Sequence, residues 1–207
     1  MLLSLSRPDE MAKTMSGQIP VIPSVDGLEA SVKAVKAKGP PPVHAWNPPF
    51  CGTLDMKIAR DGTWFYQGSP INRFALVKLF SSILKMENGD YFLVTPVEKF
   101  AIQVEDAPFV AVDMEVAEQG GVAVLQFTTH VEDQVSVDAE HGIRLSFDAE
   151  TGEPAPYVHI RGGLEALIDR KSFYRLVDLG EEHEGKFGVW SSGVFFPLMD
   201  MDALDGL

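Results

Sequence analysis

Ile71-Asn72-Arg73-Phe74-Ala75-Leu76-Val77-Lys78-Leu79-Phe80 lines up without gaps with Ile168-Asp169-Arg170-Lys171-Ser172-Phe173-Tyr174-Arg175-Leu176-Val177. The matched types run apolar, amide or acid, Arg, two variable, two bulky, base, Leu, bulky. Downstream, Gly89-Asp90-Tyr91 answers Gly185-Lys186-Phe187, and Phe100 answers Phe196 after a one-residue slip. A repeat at this spacing is too long for a solenoid unit and suits a duplicated domain. Two like halves meet at an interface, and such interfaces are favoured places for ligand pockets.

Outward from the repeat, the same order of elements recurs. Leu54-Asp55-Met56-Lys57-Ile58 alternates as a strand, Arg60-Asp61-Gly62-Thr63 turns, and Trp64-Phe65-Tyr66 returns. Ser69 is then placed to cap, and Pro70 to open, a helix over roughly residues 70–86. Its apolar residues Ile71, Phe74, Leu76, Val77, Leu79, Phe80, Ile83 and Leu84 lie on most of its circumference, which predicts burial on several sides, above all of Phe74, Val77, Leu79, Phe80 and Leu84. Strands follow from Tyr91 to Thr95 and from Lys99 to Val104. A hairpin, Phe109 to Ala117 and Val122 to Thr129, turns at Gly120-Gly121. The second half replays the order: strands at Ile143–Phe147 and Tyr157–Arg161, a helix capped by Asp169, then strands at Phe187–Ser191 and Val194–Leu198. The unit is strand, strand, helix, strand, strand, twice, with short links that favour antiparallel pairing; the class is α+β. Before it, Val25, Leu28, Val32 and Val35 recur at helical period and predict a first helix, ended by Gly39 and Pro40-Pro41-Pro42. The chain thus divides into 1–42, an N-terminal arm and helix; 43–108, the first α+β half; and 109–207, the second half with an acidic C-terminal tail.

Charge is uneven. The net charge of the 207 residues is −13. Residues 1–100 hold 11 Lys and Arg against 9 Asp and Glu, giving +2, and residues 101–207 hold 6 against 21, giving −15. The second half repels nucleic-acid backbone and anionic membrane, so neither is an expected partner. With one cysteine, Cys51, no intrachain disulfide forms. The N-terminus lacks the pattern of a signal peptide, and no apolar run reaches the length of a membrane span. A soluble, reduced, cytoplasmic protein is expected.

Cys51-Gly52 with Leu54-Asp55-Met56, Asp61-Gly62-Thr63-Trp64, Gly68-Ser69-Pro70-Ile71 with Arg73, Leu93 to Lys99, Val104 to Phe109, His159 to Ala166 and Gly188-Val189-Trp190-Ser191 together resemble a bacterial family known as domain of unknown function 1285. The likeness covers roughly residues 43–199. It implies a duplicated α+β fold whose second domain is loosely similar to pleckstrin-homology domains, a site between the halves for a nucleotide-like molecule, and a role in signalling. It carries over no catalytic residue.

Read from the residues themselves, Arg73 and Arg170 stand at equivalent places near equivalent helix starts. Each opposes the helix dipole and so calls for a partner, either an anion such as phosphate or a carboxylate of this acidic chain. Arg161 precedes Gly162-Gly163, where a ligand can approach bare backbone or the chain simply bends. Trp64, Tyr66 and Trp190 can stack on a base or fill a core. Thr95, Ser191 and Ser192 can bond a ligand or local backbone. Glu105-Asp106 is the best pair for acid–base work, but adjacent strand residues face opposite ways unless the chain turns. His44, His130, His141, His159 and His183 have no metal-motif spacing, and Cys51 has no partner ligand in sequence. There is no phosphate-binding loop or dinucleotide fingerprint, and no cofactor is expected. The leading expectation is a binding or regulatory protein holding a small anionic, nucleotide-like ligand between its halves, with Arg73, Arg161, Arg170, Trp64, Thr95 and Trp190 as candidate contacts. The alternative is an interaction module whose acidic second half docks a basic protein; an enzyme comes third.

Overall fold

Alternation at Leu54, Met56 and Ile58 buries one face of the strand β1, Phe50–Ile58, in the computed structural model of the chain, which describes Gly27 and residues 41–148 and 151–204. Of the expected first helix only Gly27 falls within that range, and it is helical; the rest of that segment, and the arm before it, lie outside the described residues. A short 3-10 turn at Val43–Ala45 leads in. Asp61 closes the next turn by accepting the Thr63 N–H at 2.9 Å, and β2, Trp64–Tyr66, returns antiparallel to β1.

The first helix differs from its expected extent. Ser69–Pro70 pairs with β2 as a two-residue strand, β3, rather than capping a helix. The helix α1 is Phe74–Ser81, with Arg73 at its N-cap. It stops because the Ser81 and Ser82 hydroxyls donate to the carbonyls of Lys78 and Leu79, at 3.0 and 2.6 Å, in competition with continued helix. After Ile83 the chain forms β4, Leu84–Glu87, paired with β5, Asp90–Val94. Between them Asn88 and Gly89 have φ of 54° and 92°, the left-handed pair that a two-residue hairpin requires. Leu76, Val77, Leu79 and Phe80 are buried as expected, and Leu84 is buried from its strand. Phe74 is not: in the first turn of a short helix it is 46% exposed. β6, Lys99–Val104, completes a six-stranded sheet of order β3-β2-β1-β6-β5-β4.

The second half begins with the long hairpin β7, Phe109–Gln119, and β8, Val122–Thr129. It continues through β9, Gln134–Ser136; β10, Ile143–Phe147; β11, Pro154–Arg161; and β12, Leu164–Ile168. These form a second six-stranded sheet, β10-β11-β12-β7-β8-β9. The helix α2, Arg170–Asp178, is capped by Asp169, whose carboxylate accepts the Ser172 N–H at 2.8 Å. A three-stranded sheet follows, from β13, Glu181–His183; β14, Lys186–Ser191; and β15, Val194–Asp200, before a single turn of helix, α3, Met201–Leu204.

The halves share one element order, a three-strand meander, a helix and a three-strand meander, which the second half precedes with β7, β8 and β9. Each is a curled sheet with a helix, and the fold is α+β. Pairing is mainly antiparallel, as short links favour, but two parallel ladders, β1 with β6 and β12 with β7, join strands distant in sequence. One continuous apolar core runs through both halves and includes Trp64, Phe80, Phe109, Phe127, Leu164 and Leu176. Among the described residues no helix is long and apolar enough to cross a membrane.

Candidate functional site

Where the halves meet, β4 of the first faces the β11–β12 turn of the second across a cavity of about 330 Å³. Gly163 makes the close approach possible. A β-carbon there would stand 2.4 Å from the Met86 methyl, and its φ of 81° suits glycine. The adjacent Gly162 has nothing within 4 Å of the place its β-carbon would occupy, so its backbone is open to the space around it. The turn is held by His159. Its Nε2 accepts the Gly163 N–H at 3.1 Å, which leaves Nδ1 to donate to the Glu140 carbonyl at 2.9 Å.

Three basic side chains line this cavity, His44, Lys85 and Arg161, beside the apolar Leu84, Met86 and Leu164. No carboxylate is among the described residues of its wall. Lys85 donates to the Trp46 carbonyl at 2.8 Å and pairs with Glu87 at 2.9 Å. Glu87 also takes Lys99 at 2.7 Å, and hydrogen bonds from Lys99 and Lys85 hold its carboxyl below the usual range. Arg161 has one carboxylate partner, Asp133 at 2.5 Å, and its other terminal nitrogen donates to the Ser81 carbonyl at 2.9 Å. Its guanidinium lies 5.0 Å from the centroid of the Phe109 ring. It therefore ties α1 to the second sheet while remaining half-exposed on the cavity wall.

The other expected contacts lie elsewhere. Arg73 is exposed at the N-cap of α1 and is not in the wall of this cavity. Arg170, the first residue of α2, is exposed on a different cavity of about 290 Å³, with Arg60, Glu153 and Tyr174. Trp64 is 1% exposed, its ring stacked on Phe80 at 6.3 Å; it is a core residue with no face left for a base. Thr95 is buried, and its hydroxyl oxygen accepts the Glu98 N–H at 3.1 Å within its own turn. Trp190 lies on the three-stranded sheet, 38% exposed, packed against His183 and Phe195 with ring centroids 5.0 and 5.3 Å away. Ser191 is buried between sheets, accepting the Leu125 N–H at 2.9 Å and donating to the Val137 carbonyl at 2.7 Å.

Glu105 and Asp106 do not form an acid–base pair. Glu105 takes Lys57 at 2.7 Å and the Arg60 N–H at 3.0 Å, which holds its carboxyl low. Asp106 instead accepts from the Tyr157 hydroxyl at 2.7 Å, with Arg60 Nε 3.3 Å from its other oxygen. Burial and this carboxylate push the Tyr157 hydroxyl up to about 12. Among the described residues no group of three His, Cys, Asp or Glu is arranged to hold a metal ion.

Lys85 and His44 carry no signal in the sequence, because only the fold sets them opposite Arg161. His130 is similar. It sits half-buried where the Asp61-Gly62 turn of the first half meets β7 of the second, its Nδ1 accepting the Val110 N–H at 3.1 Å. Burial holds its imidazole below its ordinary value.

Comparison with known proteins agrees with this two-part architecture. Residues 41–107 match the N-terminal domain, and residues 108–198 the C-terminal domain, of the family described as of unknown function, DUF1285. A crystal structure of a DUF1285 family protein from Silicibacter pomeroyi is similar at 66% identity and a TM-score of 0.80, covering 88% of this chain and 100% of that one. A second, from Shewanella baltica, is similar at 31% identity and a TM-score of 0.50, covering 60% of this chain and 91% of that one. No curated protein matches. With both of its halves matched in order, the chain belongs to the DUF1285 family.

Proposed function

We propose that this protein is a binding and regulatory protein that holds a small anionic, nucleotide-like ligand in the cavity between its halves. One observation carries the reading. In a chain of net charge −13, the wall of the cavity between the halves has His44, Lys85 and Arg161 and no described carboxylate. An anion entering there gains charge-assisted hydrogen bonds, which are about twice as strong as neutral ones. Leu84, Met86 and Leu164 supply an apolar wall for a flat group such as a base. Because β4 and the β11–β12 turn belong to different halves, an occupant bridges them and stiffens their junction, which is the physical basis of a regulatory role.

The test is a thermal-shift screen against nucleotides and other phosphorylated metabolites, repeated with Lys85→Ala. A stabilising ligand is expected among the anions, weakened by salt and by the substitution. If no anion stabilises the protein, the reading is wrong. A second reading rests on the β13–β15 sheet. There Trp190, His183 and Phe195 form a partly exposed aromatic cluster, and Glu181, Glu182 and Glu184 lie on and beside the same short strand. That surface suits a basic protein partner, and its occupation is independent of Lys85.

A further inference from the structure

The second half leaves open a seam that the first half closes. In the first half the parallel ladder between β1 and β6 joins the two meanders into one sheet. The corresponding strands of the second half, β10 and β15, bring Cα atoms within 8 Å of each other but share no ladder among the described residues. Beside that seam, under α2, lies a groove of about 440 Å³ walled by Phe147, Phe173, Val177, Phe187, Leu198 and Met199. The repeat sets Val177 where α1 carries the fully buried Phe80, so the second half has a smaller side chain at that place.

Among the described residues no side chain lining this groove is ionisable. Phe147 and Val177 are nonetheless 48% and 37% exposed, so apolar surface is left facing water. Phe173 and Pro154 line both this groove and the adjoining cavity that holds Arg60, Arg170, Tyr174 and Glu153. Arg60 is already shared between Asp106 and Asp148, at 3.3 and 3.6 Å. Arg170 has no ion-pair partner among the described residues. An apolar slot therefore leads, past Phe173, to a cation without a counter-charge among the described residues. Glu153 stands at the same mouth, so a head group with one negative charge fits better than a dianionic phosphate.

We propose that this groove binds a single-chain amphipathic carboxylate, with the hydrocarbon tail between α2 and the β10–β15 seam and the carboxylate on Arg170. This site is separate from the cavity between the halves and does not depend on its occupant. Calorimetric titration of the full chain with hexanoate, octanoate, decanoate and the uncharged decanol tests it. Affinity is expected to rise roughly three- to four-fold per buried methylene, with decanoate several-fold tighter than decanol. Arg170→Ala should remove the advantage of decanoate over decanol, and Val177→Glu should weaken the whole series at least ten-fold. Circular dichroism checks that both variants fold; if either does not, the chain-length series and the decanol comparison on the unaltered protein decide. Affinity independent of chain length, or decanol binding as tightly as decanoate, overturns the proposal. So does a complete lack of binding accompanied by dimers in sedimentation, which would give the groove to a second copy of the chain.

Discussion

His130 can be protonated only by breaking a hydrogen bond within the second half, beside the place where the Asp61-Gly62 turn of the first half packs on it. Its Nδ1 accepts from the Val110 N–H, so the neutral ring carries its proton on Nε2, a buried atom without a hydrogen-bond partner among the described residues. Asp61 and Asp133 face it and favour the charged ring, but burial outweighs them and holds the folded-state value below 6.5. The sign follows. The unfolded chain takes up a proton as pH falls through about 6.5, while the folded chain resists until its lower value is reached, so stability is lost across that window. Below it a second loss begins. The carboxyls of Glu87, Asp113 and Asp138 are held low by their hydrogen bonds, and the stability they contribute above their unfolded values disappears as pH falls through the folded ones. Thermal melts from pH 8 to pH 3 should fall in these two stages. His130→Asn keeps an acceptor for Val110 without a titrating ring, and should flatten the first stage alone. An unchanged first stage in that variant would assign it to other groups. Nothing in the sequence marks this histidine, since a lone His at a strand end has no spacing to read.

At the scale of elements, the two matched helices carry unequal weight. α1 lies between its own sheet and the second half, with Lys78 paired to Glu132 and the Ser81 carbonyl bonded by Arg161. Phe80, fully buried, stacks on Trp64. Phe80→Ala should cost roughly 3–5 kcal/mol in a denaturant melt. The matched Val177→Ala, on a part-exposed position, should cost under about 1 kcal/mol. Equal losses would show that the repeat imposes equal packing. The repeat and the strand positions were legible because alternation and paired glycines are local signals. The extent of α1 was not. The apolar run from Ile71 to Leu84 reads as one helix, and only the Ser81-Ser82 stop and the Asn88-Gly89 hairpin divide it. The parallel ladders were also hidden, since β1 and β6 meet only after the intervening chain has folded.

Over the whole molecule, the site is a product of apposition rather than of a motif. Arg161 was marked in the sequence by the glycines that follow it, and it does line the cavity between the halves. Trp64 and Thr95 were marked by residue type alone, and the core and a local turn absorb them. Lys85 and His44 were invisible because their chemistry depends on a partner half nearly eighty residues or more away in sequence. The −15 charge of residues 101–207 is spread over that half, yet among the described residues the ionisable side chains of the junction wall are all bases. The most direct measurement is hydrogen exchange of the full chain with and without a saturating nucleoside monophosphate. Slowed exchange is expected together in the segments around Lys85–Met86 and Arg161–Leu164, one from each half. Slowing confined to residues 181–195, or none in either junction segment, would contradict a ligand held between the halves.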